Sequence, residues 1–342
     1  MTQNILLIGA GAVGSAVAAW LAPKHNNLYV FDRPQTLAAI AENGITAYWQ
    51  QQKNQGETIT VNTIANLADG PKPDVILLCV KNYSLDGLSQ AILAAYGKAA
   101  VDNCIVVGLQ NGVENQHILP QYFNNIVYGI VTFNAWLDAP GIVGYQAKGP
   151  FIFGTPDNHN QASVLAITEL FNQAVVAVAS THFQDAALCK MILNLTNSLT
   201  TLTGVGYREI DDMSLFQRIL SRLTYEGVKI VKAAGFKECQ VGDTPGWHLI
   251  KASALLPQFL TRGFFKRNVK KMVLSSMAQD VILHGRGNTE LRDINGYLLT
   301  LAERHNIAAP YNQAIYQLCQ KRFAQETFEP MSVKAVWREM AV

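Results

Sequence analysis

Asn4-Ile5-Leu6-Leu7-Ile8-Gly9-Ala10-Gly11-Ala12-Val13-Gly14 is the stretch on which the fold turns. Ile5–Ile8 is an unbroken apolar run, the pattern of a strand covered on both faces. Three glycines in G-x-G-x-x-G spacing follow without a gap, and Ser15-Ala16-Val17-Ala18-Ala19-Trp20-Leu21 then reads as helix. In the dinucleotide-binding fingerprint Gly9 permits the turn, Gly11 lets backbone approach a pyrophosphate, and Gly14 lets the helix pack close to the sheet. The phosphates would rest on the amides at the helix N-terminus. Glycine-rich turns also occur in plain loops, but here a second strand, Leu28-Tyr29-Val30-Phe31, follows and ends in Asp32, the place of an acidic ribose ligand. Gly9, Ala10, Gly11, Ala12, Val13 and Gly14 are therefore the expected cofactor loop, with Asp32 and Arg33 at the ribose.

Outward from that core, Pro34–Asn43 reads as a helix ended by Gly44, and Ile45–Val61 as a hairpin on the edge of the sheet. Asp74–Val80 is a further strand with Lys81 at its carboxyl end, and Ile105–Leu109 another, ending in Gln110-Asn111-Gly112. Ligands of open parallel sheets bind beyond the carboxyl ends of the strands, so Lys81 and Asn111 are candidate site residues. Asn111 carries an acceptor and two donors, suited to a nicotinamide amide or a substrate oxygen. Each also fits an ordinary solvated loop. Ile126–Phe133, Ile142–Ala147 and Phe151–Phe153 complete a sheet of alternating α/β type, for which right-handed parallel crossovers are expected.

From Gln161 the periodicity changes. Helix Gln161–Gln173 and strand Val175–Ala179 lead to one long apolar helix, Gln184–Thr203, on which Lys190, Asn194, Asn197 and Thr201 share a stripe. An unpaired ammonium on a buried helix is costly, so Lys190 needs either an internal carboxylate or a ligand cleft, and both readings stand. Beyond Gly204 the chain reads as helices near Leu215–Ala234, Leu249–Leu260, Ser275–Leu283, Leu291–Asn306 and Asn312–Gln325. Within this part Lys237–Lys271 reads as irregular, its cations Arg262, Lys266, Arg267, Lys270 and Lys271 forming a solvated face. Glu290 opens a helix, where an acid is often only a dipole partner. The expected fold is α/β: an N-terminal Rossmann-type doubly wound sheet over residues 1–180, followed by an all-α C-terminal domain over 181–342.

Composition bounds the rest. A chain of 342 residues is long for one core, and with 49% hydrophobic residues it has material for two. Lys plus Arg is 27 against Asp plus Glu 25, a net charge of +2 that calls for neither nucleic acid nor a membrane surface. The five cysteines are scattered without a CxxC pair, which fits a reduced, cytoplasmic setting and no metal site. The first strand begins too early for a signal-peptide core, and no apolar run is long enough to span a bilayer.

In order and over nearly the whole chain, these pieces resemble the ketopantoate reductase family (2-dehydropantoate 2-reductase). The resemblance rests on Gly9–Gly14, Val80-Lys81, Gln110-Asn111-Gly112, Lys190 with Asn194, Ser275-Ser276-Met277 with Gln279-Asp280, and Thr289-Glu290 with Ile294-Asn295-Gly296. It implies Lys190 as the catalytic lysine, donating to the ketone oxygen as hydride arrives, and Glu290 as the acid that holds the polar network and the bound molecules. It implies Asn194 and Ser276 on the substrate, and Asn111 and Lys81 on the cofactor side, with closure between domains excluding water. Where the family usually has a second substrate-binding asparagine this chain has Ser198, while Asn197 lies nearer the Lys190 stripe, and both are candidate substrate-binding residues. The 237–271 region is longer than the family's usual connection. Asp32 suits the ribose diol of NAD and Arg33 the 2′-phosphate of NADP, which the family mostly prefers. The expected function is NADPH-dependent reduction of 2-dehydropantoate to pantoate, with a small 2-oxo acid as substrate and a homodimer as an assembly open to it. The alternatives are an NAD-dependent D-2-hydroxyacid dehydrogenase acting on another 2-oxo acid, and a nucleotide-binding sensor without catalysis.

Overall fold

The computed structural model describes residues 3–50, 52–242, 244–269, 274–285, 287 and 289–342, without the side chains of Phe264 and Asn268. Lys270, Lys271 and the glycine-flanked Arg286 lie outside the described residues. The chain divides into two compact units, Met1–Gln184 and Asp185–Val342.

The first unit is built on strands β1 (Ile5–Ile8), β2 (Leu28–Phe31), β3 (Ile45–Trp49), β4 (Glu57–Ile59), β5 (Asn62–Thr63), β6 (Val75–Leu78), β7 (Ile105–Gly108), β8 (Ile126–Val131), β9 (Ala135–Ala139), β10 (Ile142–Tyr145), β11 (Phe151–Gly154) and β12 (Ala177–Ala179). Its main sheet has the order β12-β11-β8-β7-β6-β1-β2-β5. From β5 to β8 all pairings are parallel, and the order reverses between β1 and β6, which is the dinucleotide-binding topology with its switch point beside the glycine turn. β1, β6 and β8 are buried along their whole length, as their unbroken apolar runs require.

The parallel rule stops at β8. β11 pairs with it antiparallel, Phe151 opposite Val131. The expected hairpin forms, β3 pairing antiparallel with β4, but it lies at the edge of a second sheet of order β4-β3-β10-β9, while β5, just beyond it, joins the main sheet beside β2. The reason lies in helix α1 (Ala12–Leu21), in which every residue from Gly14 onward is buried. Such a helix needs cover on two sides. β1 and β2 give one, and β3, β9 and β10 the other, with Trp20 meeting Tyr145 edge-on at 5.0 Å between ring centroids. The helices α2 (Pro34–Asn43), α3 (Leu85–Tyr96), α4 (Lys98–Val101), α5 (Asn115–Ile118) and α6 (Gln161–Asn172) complete this unit.

The expected long helix is two, α7 (Phe183–Asn194) and α8 (Thr196–Thr203), with the break at Leu195. At the break Thr196 donates to Leu193 O (2.7 Å) and Ser198 to Leu195 O (2.6 Å), back-bonding of the kind that competes with the helical ladder. There follow α9 (Met213–Ala233), α10 (Trp247–Leu255), α11 (Gln258–Val269), α12 (Ser276–Ala278), α13 (Tyr297–Arg304), α14 (Pro310–Phe323) and α15 (Val333–Met340). The 237–271 region, without helix or strand over 237–242 and 244–246 as expected, carries two helices. Pro257 divides them, since the residue before a proline is driven from helical to extended backbone, as Leu256 is.

α9 is the spine of the second unit, with Phe216, Ile219 and Leu223 packed among Leu199, Leu202, Ile315, Val333 and Val336. Asp212 caps its N-terminus by accepting from Ser214 and Leu215 N–H. Glu226, 4% exposed, accepts from the Tyr311 and Asn312 amides and from Asn312 Nδ2, so a side chain of α9 caps the first turn of α14. Burial, partly offset by those donors, raises the Glu226 pKa. Glu226→Ala leaves these donors buried and unmatched and should cost about 2–4 kcal/mol, read as a lower urea midpoint.

Candidate active site

The glycine turn does what its spacing requires. Gly9 has φ +100°, and a Cβ there would lie 2.8 Å from Val80 Cγ1. At Gly14 a Cβ would run into the Gly9 carbonyl, whereas at Gly11 it would meet nothing within 4 Å. The open space above Gly11, at the N-terminus of α1, fits the pyrophosphate of a dinucleotide. Asp32 accepts from Ala10 N–H and, at 2.6 Å, from Arg33 N–H, tying the end of β2 to the turn. The Arg33 side chain is 76% exposed, with Nε 3.6 Å from the same carboxylate.

At the carboxyl ends of β6 and β7 the structure adds residues to which the sequence assigned no role. Gln110 Nε2 donates to Leu78 O (2.7 Å) and Val80 O (3.1 Å), while its Oε1 accepts from Asn115 Nδ2 (3.0 Å). Asn82 Nδ2 donates to Asn111 O at 3.2 Å. These amides join the loop after β6 to the loop after β7 and so fix the backbone on which Lys81 and Asn111, both half-buried, are carried. Gln110 was visible at a strand's carboxyl end, but nothing in the sequence shows that its amide bridges two strands.

In the second unit Lys190 and Glu290 are brought into electrostatic contact. Burial lowers the Lys190 pKa to about 8, and the nearby Glu290 carboxylate opposes that fall. Glu290 is 4% exposed. Thr289 Oγ1 accepts from Leu291 N–H at 3.3 Å, which starts the helical segment right at Glu290. That segment is wound as a π-helix over Arg292–Gly296, and a second π turn covers Gln279–Leu283 after α12. π turns are rare and concentrate at functional sites, because they re-aim side chains without breaking the helix.

Asn194, one turn after Lys190 on α7, and Asn197, beyond the break on α8, are partly exposed. α12 packs on α8, where Ser275 Oγ lies 3.5 Å from Thr201 Oγ1 and caps the turn that carries Ser276. Ser198 is a correction. It is 0% exposed, with its hydroxyl donating to Leu195 O and accepting from Asn295 Nδ2 at 3.2 Å, so it anchors the π segment and has no face for a substrate. Asn197, its neighbour, is half-buried. The sequence also left out Asn295 as a positioning residue, although its Asn-Gly pair lay in the quoted motif. Among the described residues no cluster of histidine, cysteine or acidic side chains is arranged to hold a metal ion, and no helix is long and apolar enough to cross a membrane.

The first unit thus carries a dinucleotide-type glycine turn at its switch point, and the second a lysine of depressed pKa near a buried carboxylate. Residues 5–158 match the family model described as Ketopantoate reductase PanE/ApbA, and residues 182–323 match the model of its C-terminal part. The chain belongs to the ketopantoate reductase family, whose members are NAD(P)-dependent oxidoreductases. Among curated relatives, the 2-dehydropantoate 2-reductase of Pyrococcus abyssi is 26% identical over 95% of this chain and 99% of its own, and that of Pyrococcus horikoshii 28% identical over 92% and 96%. Among solved structures, a PanE/ApbA family ketopantoate reductase from Ralstonia eutropha JMP134 matches with a TM-score of 0.70 and 22% identity over 99% of this chain and 100% of that one. The ternary structure of D-mandelate dehydrogenase with NADH and anilino(oxo)acetate matches with 0.77 and 20% over 95% and 100%. At such identities the structural likeness concerns the fold.

Proposed function

We propose that this chain reduces 2-dehydropantoate to pantoate with NADPH, a step toward pantothenate and coenzyme A. What supports the reading is the match of both family models and of the curated 2-dehydropantoate 2-reductases over nearly the whole chain, with Lys190 lying near the buried Glu290. When bound, the nicotinamide supplies hydride to the carbonyl carbon of the 2-oxo acid. Lys190 Nζ donates to the carbonyl oxygen, whose charge grows as the hydride arrives, and gives up its proton to the alkoxide. With a pKa of about 8 it is mostly protonated at neutral pH, yet parts with the proton more readily than an ordinary lysine. Glu290 keeps the ammonium charged and in place. Asn194, Asn197 and Ser276 bind the substrate's carboxylate and hydroxyl, while Lys81 and Asn111 line the cofactor side.

Arg33 is assigned the 2′-phosphate, since its guanidinium is exposed and its tie to Asp32 is long. Arg33→Ala should raise KM for NADPH by about tenfold or more and leave KM for NADH unchanged, read by steady-state kinetics with each cofactor. A second reading has one observation behind it: Asp32 stands at the end of β2 where a ribose diol would bind, as an NADH-dependent D-2-hydroxyacid dehydrogenase requires. Oxidation of NADPH and of NADH by the purified protein with 2-dehydropantoate, beside other 2-oxo acids, separates the two. Turnover confined to another oxo acid with NADH replaces the first reading with the second, and tight cofactor binding without turnover on any oxo acid removes both.

A further inference from the structure

We propose that the corner between α10 and α11 is a docking surface for an anionic lipid bilayer. Between Asp243 and Asp280 the sequence contains no acidic residue, and its described part carries Lys251, Arg262, Lys266 and Arg267. The net charge of the whole chain, only +2, conceals this local run. On the same corner Leu255, Leu256, Phe259 and Leu260 are 49%, 48%, 78% and 61% exposed. A contiguous group of large exposed apolar side chains marks an interaction surface.

The corner is built, not frayed. Ile250, Ala254 and Phe265 are buried beneath it, Gln258 Nε2 donates to Ser214 O (2.9 Å), and Gln217 Nε2 donates to Thr261 Oγ1 (2.7 Å). With its polar groups satisfied against α9, the corner keeps its leucines and Phe259 turned outward. Among the described residues Lys251, Arg262, Lys266 and Arg267, all exposed, form no ion pair. The acid beside this contact, Asp212, is taken by the amides of α9.

An apolar knob with a cationic surround is the pattern of a peripheral helix lying in the headgroup region, the side chains entering the acyl boundary and the cations meeting anionic headgroups. A second copy of the chain would set like charges against each other across the same patch. A nucleic acid would pair the cations but leave the leucines without a partner. The attachment is to the surface and involves no span.

The test is cosedimentation of the full chain with vesicles of phosphatidylcholine alone and of phosphatidylcholine mixed with phosphatidylglycerol. Binding is expected to the mixed vesicles only, and to fall at high salt as the Debye length shortens. Phe259→Ser with Leu260→Ser, and separately Arg262→Glu with Arg267→Glu, should each weaken it by about tenfold or more with unchanged circular dichroism. No binding to mixed vesicles, equal binding to both kinds, or variants that bind like the parent would overturn the proposal. So would dimerisation, or retention of single-stranded nucleic acid, in place of lipid binding and lost in the same variants. The readout is lipid binding, so its result is independent of whether 2-dehydropantoate is turned over.

Discussion

Lys190→Ala is expected to lower kcat with the 2-oxo acid by about 10²–10³-fold or more while cofactor binding and the far-ultraviolet circular dichroism stay as they are. The ammonium interacts more strongly with the developing alkoxide than with the neutral ketone, so its removal falls on the transition state. Alanine replaces a side chain whose charged form burial already disfavours, so the fold loses little. Undiminished turnover in a folded Lys190→Ala protein would refute the mechanism.

The pH dependence follows from the same group. Reduction requires the protonated amine, so kcat should fall as pH rises through about 8, where an ordinary lysine would keep its proton well beyond. Glu290 is the influence that raises this pKa. Glu290→Gln should therefore move the alkaline limb to lower pH. Lys190→Arg, which stays charged throughout, should remove the limb while losing rate through misplacement. A limb that stays in place in both variants assigns the titration to another group.

What could be read in advance, and what could not, divides by the range of the interactions. The glycine turn and the buried parallel strands are local patterns with a period, and they survive folding, whereas the helix that was to carry the polar stripe from Lys190 is interrupted at Leu195. The partner of Lys190 was not local: the sequence left an internal carboxylate and a ligand cleft equally open, and the fold brings the Glu290 carboxylate near enough to act on the lysine's pKa. The second sheet was hidden because strand patterns state that a face is covered but not by which strands. Ser198 shows the limit most clearly. Its neighbour Asn197 differs by one position, yet Leu195 O and Asn295 draw the serine inward and leave the asparagine half-buried. Likewise, no spacing rule distinguishes the π turn at Arg292–Gly296 from an ordinary helix start.

Gly14→Ala and Gly11→Ala, three residues apart in one loop, should fail in opposite ways. At Gly14 the new methyl group would collide with the Gly9 carbonyl and press on Cys79 Cβ at 3.0 Å, and neither β1 nor β6 has room to retreat because both are buried along their length. α1 must move off the sheet, and with it the layer in which Trp20 meets Tyr145. Overpacking of this kind costs about 1–3 kcal/mol or more, so melting temperature and cofactor affinity should fall together. At Gly11 the backbone has φ −70°, which alanine adopts without strain, and the methyl group points into open space. Stability should be unchanged there. The same methyl group would stand where a pyrophosphate must touch backbone, so KM for the nicotinamide cofactor should rise by about tenfold or more. Thermal unfolding beside steady-state kinetics on the two variants separates a glycine needed by the fold from one needed by the ligand. A Gly11→Ala protein that binds its cofactor normally would mean that the phosphates do not lie over this turn.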